Sequence, residues 1–139
     1  MKNFLVPVDF SEASQNAARY AISLGEVLKA KIIFINVVPI GLLIEDESLH
    51  SRIAAQAQLV ESNKDFLSKE IIALSKNHSV STEGYVAEGP VPEMILQMAH
   101  EHQSDLISMV SHSNFLEQVV VGTYHRSSKS GRHGRNIND

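Results

Sequence analysis

Apolar residues follow two different patterns along the first 110 positions of the chain. Residues 3–8, 31–38 and 105–110 are short, nearly continuous apolar runs rich in β-branched side chains, and they predict buried strands. Residues 79–87 predict a further strand, which Gly89 and Pro90 end. Between the strands, apolar residues recur every three or four positions, and this spacing predicts amphipathic helices.

The helices connect the strands in strict alternation. The first helix is expected to begin after Ser11, a favoured N-cap residue, and to last to about Lys29. The second keeps its helical period from Ile53 to Leu74, and the third starts at Pro92, since proline is tolerated in a first helical turn. Crossovers of this length predict a four-stranded parallel core with right-handed connections and helices on both faces.

Asp9 is the first candidate functional residue. It follows the first apolar run at once, so the strand should deliver its carboxylate to the carboxyl edge of the sheet. Ligands of open α/β folds bind at this edge. The alternative role is structural, with Asp9 capping the following helix or accepting a hydrogen bond from a loop N–H.

The apolar pattern ends after Gly122, and this end suggests how the chain is divided. Residues 124–139 contain a single aliphatic side chain, Ile137, among many Ser, Gly, Arg and His. We therefore expect one domain over 1–123, followed by a polar, basic tail at 124–139 that is disordered or loosely packed.

Charge and composition exclude several classes of protein. Residues 1–123 carry eight basic and fifteen acidic side chains, and such an acidic body argues against nucleic acid as a partner. The chain has no cysteine, which rules out disulfides and thiolate metal sites. No signal-like segment or long apolar run is present, so we expect a cytoplasmic protein without a membrane partner.

Several segments, taken together, resemble the universal stress protein family over about residues 1–123. The segments are Leu5-Val6-Pro7-Val8-Asp9-Phe10-Ser11-Glu12, Asn36-Val37-Val38-Pro39, Glu88-Gly89-Pro90 and Ser104-Asp105-Leu106-Ile107-Ser108-Met109. The resemblance implies a three-layer α/β/α sandwich similar to the adenine nucleotide alpha hydrolases. It also implies a parallel sheet of strand order 3-2-1-4, with a fifth strand beyond strand four in the family, and a homodimer.

The same resemblance implies a site for an adenine nucleotide, ATP or AMP with magnesium, which some members of the family bind. The nucleoside would lie against Pro7, Val8, Asp9 and Val37. The phosphates would lie against a motif of which Met109, His112, Gly122 and Thr123 still match.

The phosphate motif departs from the family pattern in this chain. Val110 and Ser113 replace its two early glycines, and the spacer before Gly122 is one residue short. A β-branched valine narrows the cleft and disfavours the positive φ that glycine permits. We therefore expect weak or absent ATP binding.

The family's last helix and last strand have no counterpart in residues 124–139. An unpaired strand four would expose backbone N–H and C=O groups, which favours a homodimer with an interface near 105–123. The apolar run at 119–121 is the expected contact. The alternative is that these valines fold back on their own sheet and the protein stays a monomer.

Support for catalysis is weak. The sequence contains no nucleophile elbow, zinc-protease motif or Walker lysine. His100 and His102 are two residues apart, which puts them on different faces of a helix, so we expect no metal site. The sequence favours a stress-response binding module that acts as a dimer; the alternative is an ATP- or AMP-binding universal stress protein with slow ATP hydrolysis.

Overall fold

The computed structural model describes residues 2–40, 48–112 and 117–123, with the backbone alone from residue 109 onward. The strands are β1 (Asn3–Pro7), β2 (Lys31–Val38), β3 (Ser81–Glu88), β4 (Leu106–His112) and β5 (Glu117–Thr123). The helices are α1 (Glu12–Leu28), α2 (Leu49–Ser75) and α3 (Val91–Glu101). The acidic residues 45–47 of the loop before α2 and the predicted tail at 124–139 lie outside the described residues.

One sheet of order β3-β2-β1-β4-β5 contains all five strands. Strands β1 to β4 are parallel to one another: Pro7 pairs with Ile35 of β2, and Leu5 pairs with Ile107 of β4. The predicted order 3-2-1-4 and the parallel pairing of these strands are confirmed.

The fifth strand corrects one expectation from the sequence. Strand β5 pairs with β4 in the antiparallel direction, and the register places Val120 opposite Met109. The valines therefore fold back on their own sheet, so the expectation that the outer edge of β4 is unpaired is wrong. An antiparallel partner needs no crossover helix, which is why the strand forms within a few residues of β4.

Helix α1 begins and ends where its sequence predicts. The Ser11 side chain accepts a hydrogen bond from the Ser14 backbone N–H at 3.1 Å and so caps the first turn. Glu12 lies in that turn, where a negative charge suits the helix dipole. The helix ends at Lys29, which adopts a left-handed conformation with φ of 58°.

Two apolar clusters, one on each face of the sheet, make the three-layer arrangement. On one face, Phe4 and Phe34 pack with Ile22 of α1 and Leu67 of α2. On the other face, Leu5, Ile33 and Ile35 pack with Met98 and Ala99 of α3. The strand residues of both clusters are almost completely buried, as a doubly covered parallel sheet requires.

Helix α2 is long but shallowly packed. Two of its 27 residues, Val60 and Leu67, are buried. Gln56 donates a hydrogen bond to the Pro39 carbonyl and reaches Glu88 at the end of β3, each at 3.3 Å. The turns before Gln56 therefore extend beyond the sheet, which explains why Ile53 keeps the helical period yet is 60% exposed. None of the helices within 2–40 and 48–112 is long and apolar enough to cross a membrane.

Candidate functional site

Val8 is fixed to β2 on both sides of its peptide unit. Its backbone N–H donates to the Ile35 carbonyl at 2.8 Å, and its carbonyl accepts from the Asn36 side-chain amide at 2.9 Å. The Val8 side chain is 5% exposed and belongs to the core. This double attachment fixes the direction in which the chain leaves β1, and with it the position of the next residue.

Asp9 lies in the turn between β1 and α1 with its side chain exposed. Its Oδ1 accepts from the Ser11 N–H at 3.0 Å and from the Ser11 hydroxyl at 2.6 Å. Its backbone N–H donates to the Ser14 hydroxyl at 3.1 Å. The carboxylate thus accepts from a loop N–H, the structural role that the sequence left open. It does so at the carboxyl edge of the sheet, where ligands of such folds bind.

Phe10 occupies a conformation that phenylalanine rarely adopts. Its φ is 68°, in the left-handed region where a side chain other than glycine is strained. The ring packs against Phe66 of α2, with centroids 5.4 Å apart and planes tilted by 31°. Hydrophobic patterning gives no sign of this conformation, so sequence reasoning missed Phe10.

A pair of side-chain amides, Asn36 and the half-buried Asn63, connects the same turn to α2. Asn36 is 5% exposed and accepts a hydrogen bond from the Asn63 side chain at 2.9 Å while donating to Val8. The buried Asn36 amide therefore has partners for both its oxygen and its nitrogen, as low-dielectric surroundings require. Asn36 interrupts the apolar run 31–38, and that lone polar position was the signal by which it could have been found.

Val37 lies on the opposite face of β2 from Asn36. It is half-buried and packs against the cluster that contains Met98. Pro7 and Ile35 are the last paired residues of β1 and β2. Val37 is two positions beyond Ile35, and Asp9 is two positions beyond Pro7, so Val37 and Asp9 lie at the same level of the sheet. The structure thus brings all four of the predicted nucleoside residues, Pro7, Val8, Asp9 and Val37, to one edge of the sheet.

The family model described as the universal stress protein family matches residues 1–125. The chain belongs to the universal stress protein family. A search of curated proteins finds no significant match.

Solved structures of universal stress proteins share the fold. Universal stress protein UspA from Lactobacillus plantarum superposes with a TM-score of 0.69 at 21% identity, over 82% of this chain and 80% of that one. A family member from Burkholderia pseudomallei gives a TM-score of 0.54 at 17% identity, over 80% and 82%. A universal stress protein in complex with cAMP gives 0.54 at 16% identity, over 76% and 73%.

The residues that match the universal stress protein phosphate motif are divided between the two ends of the sheet. Met109 and the last residue of β4, His112, have their backbone near the carboxyl edge. Gly122 and Thr123 instead lie opposite Ile107 and Leu106, at the start of β4. Gly122 lies opposite Ile107, and Ile107 pairs with Leu5, which is four residues before Asp9. Gly122 is therefore separated from Asp9 by roughly 13 Å along the strand direction.

Displaced pKa values occur at the other end of the sheet. Lys31, at the start of β2, donates to Glu83 at 2.6 Å; this hydrogen bond raises the pKa of Lys31 and lowers the pKa of Glu83. Tyr85 also donates to Glu83, at 2.8 Å, and stacks on His102 with centroids 4.8 Å apart. These shifts come from surface pairing, and surface ion pairs of this kind perturb pKa values without marking a catalytic site.

Proposed function

We propose that this universal stress protein is a dimeric stress-response binding module that takes an adenine nucleotide at the carboxyl edge of its sheet, with poor affinity for ATP. The binding domain of the proposal spans 1–123. The cytoplasmic location expected from the sequence remains a prediction.

The observation that carries the proposal is the geometry of the β1–α1 turn. Val8 and the carboxylate of Asp9 are held by Asn36 and Ser11, and the side chain of Asp9 remains exposed at the edge where a ribose hydroxyl could donate to it. Val37 offers an apolar surface for a base at the same level of the sheet. The fold neighbour in complex with cAMP supports the choice of an adenine nucleotide.

Two features support poor affinity for the triphosphate. Val110 and Ser113 stand where the family pattern has glycine, so the backbone cannot approach phosphate oxygens as closely. The register of β5 also places Gly122 and Thr123 at the far end of β4, away from Asp9. The nucleoside part of the pocket is thus better preserved than the phosphate part.

Titration calorimetry with ATP, AMP and cAMP, with and without magnesium, tests this function. We expect ATP to bind with a Kd weaker than about 0.1 mM, equivalent to roughly -5.5 kcal/mol, and AMP to bind no more weakly than ATP. Thermal shifts should follow the same order, because a ligand of the native state raises Tm by mass action. Low-micromolar ATP binding would contradict the proposal and favour the alternative with slow hydrolysis.

Asp9→Ala tests the role of the carboxylate. Where nucleotide binding is measurable, this change should weaken it by about 1.5–3 kcal/mol, the usual loss for hydrogen bonds to a charged acceptor. Ser11→Ala is the matched control, since it removes both hydrogen bonds of the Ser11 hydroxyl, the one to Asp9 and the capping one from the Ser14 N–H, but keeps the carboxylate. If both variants lost affinity equally, the carboxylate would act through the turn and not on the nucleotide.

The proposed homodimer uses β5. The sheet order makes β3 and β5 the terminal strands of the described sheet, and the Val119–Val121 run lies within β5. Antiparallel pairing with the β5 strand of a second copy would satisfy the backbone groups along that edge and shield an apolar strand from water. The interface proposed near 105–123 therefore keeps its position, although β5 and not β4 would make the contact.

A further inference from the structure

Helices α1 and α2 leave an open groove of about 720 Å³ on the outside of the molecule. It begins at Phe10 and Phe66 and extends past Gln15 and Glu70 to His78, beyond the end of α2. The groove starts beside the β1–α1 turn and continues between α1 and α2, away from the carboxyl edge where the nucleotide site is proposed. We call it the α1–α2 groove.

The start of the α1–α2 groove is aromatic and exposed. Phe66 is 61% exposed, although its ring packs on that of Phe10. Leu74 and Ala73 continue the apolar lining along α2. A solvent-exposed aromatic side chain beside a concave surface is typical of the residues that contribute most to binding at protein interfaces.

The cations of the acidic body are concentrated at the α1–α2 groove. Residues 1–123 have eight basic and fifteen acidic side chains, yet three of those eight, Arg19, Lys69 and Lys76, line this one groove, and all three are exposed. Lys69 also pairs with Asp65 at 3.1 Å, but both side chains are at least 70% exposed and solvent screens the pair.

Glu70 is the acidic residue in the groove lining, and its carboxylate keeps its negative charge. One carboxylate oxygen accepts from the Gln15 amide at 2.7 Å, and the other is buried. The lining thus carries three cations, Arg19, Lys69 and Lys76, against one carboxylate, so its charge is net positive on a domain that is otherwise negative. A groove with an aromatic floor and a basic rim is complementary to a segment with the opposite pattern.

We propose that the α1–α2 groove binds an acidic amphipathic segment of a partner protein, with apolar side chains against Phe66 and carboxylates against Arg19 and Lys69. The chain's own residues 124–139 do not fit the groove, because they carry four basic side chains and one acid. The proposed contacts with Phe66, Arg19 and Lys69 do not include Asp9, although the groove begins at Phe10, the next residue of the same turn.

Selection from a random library of 16-residue peptides displayed on phage, with the full chain immobilised, tests the proposal. We expect the enriched peptides to carry net negative charge and at least two large apolar residues. Their synthetic, fluorescently labelled forms should bind the protein in fluorescence anisotropy, more weakly at high salt, because screening reduces attraction between exposed charges.

Two pairs of variants locate the binding on the surface. Lys69→Glu should weaken binding of the enriched peptides about tenfold, equivalent to 1.4 kcal/mol. Lys64→Glu should leave it unchanged: Lys64 lies on the same helix and pairs with Glu61 at 3.3 Å, but it faces a different groove.

Phe66→Ala should likewise weaken binding about tenfold, as loss of an aromatic anchor does. Ile72→Ala, at a 71% exposed position outside the α1–α2 groove, should not.

Three results would overturn the proposal. The first is that no acidic peptides are enriched, or that basic ones are. The second is that the variants inside and outside the groove lose affinity to the same extent. The third is that Lys69→Glu abolishes self-association of the protein in light scattering without any peptide, which would assign the groove to a second copy of the chain.

Discussion

Ser14 is a buried residue on which the β1–α1 turn depends. It is 3% exposed, and its hydroxyl accepts a hydrogen bond from the backbone N–H of Asp9. Ser14→Ala would leave that N–H without its partner in a part-buried position, so we expect a loss of about 1–3 kcal/mol in the free energy of unfolding. Urea denaturation of the variant and the wild type measures it. A loss below about 0.5 kcal/mol would mean that water replaces the hydroxyl.

Glu26 is expected to make stability depend on acid pH. A backbone hydrogen bond from Ser79 at 3.0 Å, with His78 contributing at 2.8 Å, holds the pKa of its carboxyl below the ordinary value of 4.5. Because the pKa of Glu26 is lower in the folded state than in the unfolded state, the ionised carboxylate stabilises the fold at pH values above 4.5. This stabilisation is lost as the pH falls through the folded-state pKa.

Glu26→Gln should therefore reduce stability near neutral pH. The difference between wild type and variant should shrink as pH falls below 4.5, which thermal unfolding from pH 7 to pH 3 would measure. A difference that stays constant over this range would contradict the assignment.

Single residues of the site could be predicted only in part. Asp9 and Ser11 follow from the sequence, because a carboxylate and a capping serine after an apolar run have a local physical meaning. The left-handed conformation of Phe10 and the Asn36–Asn63 pair could not be predicted, since both depend on α2, which is distant in the sequence.

At the scale of helices and strands, local pattern was sufficient for all three helices and for β1 to β4. Buried apolar runs and helical spacing are properties of the segment itself, and the predicted strand 31–38 coincides with β2 (Lys31–Val38). For β5, the sequence predicts the folding back of the valines only as an alternative. The antiparallel pairing of β5 with β4 joins two separate segments, and the pattern within one segment does not specify such a pairing.

The turn between β3 and α3 requires a glycine. Gly89 has φ of 141°, which side chains rarely adopt, and a Cβ there would stand 3.0 Å from Met94. Gly89→Ala should lower the free energy of unfolding by about 1–3 kcal/mol in a denaturant titration. Gly84→Ala is the control for packing alone: its added Cβ would meet Ile71 at 2.6 Å and the buried Leu67 at 3.3 Å, but no positive φ is involved. Equal losses would show that packing, not backbone conformation, requires Gly89.

At the scale of the whole molecule, the proposed homodimer depends on the terminal strand β5. We expect light scattering at micromolar concentration to give twice the 15.3 kDa of the chain. Val120→Lys should return the mass to that of a monomer, because a lysine in a β5–β5 interface would leave a charge unpaired away from water. Lys64→Glu, far from β5 on α2, is the control. A wild type that remains a monomer would contradict the proposed dimer.

The shallow packing of α2 has a consequence for the way the molecule opens. With two buried residues in 27, this helix is less deeply buried than α1, in which seven of 17 residues are buried. The amide protons of α2 should therefore exchange with deuterated solvent through local unfolding of this helix. Those of α1 and β2 should exchange only when the whole molecule unfolds. Phe66 and Asn63 open with α2, so a segment bound in the α1–α2 groove would slow this exchange along the whole helix.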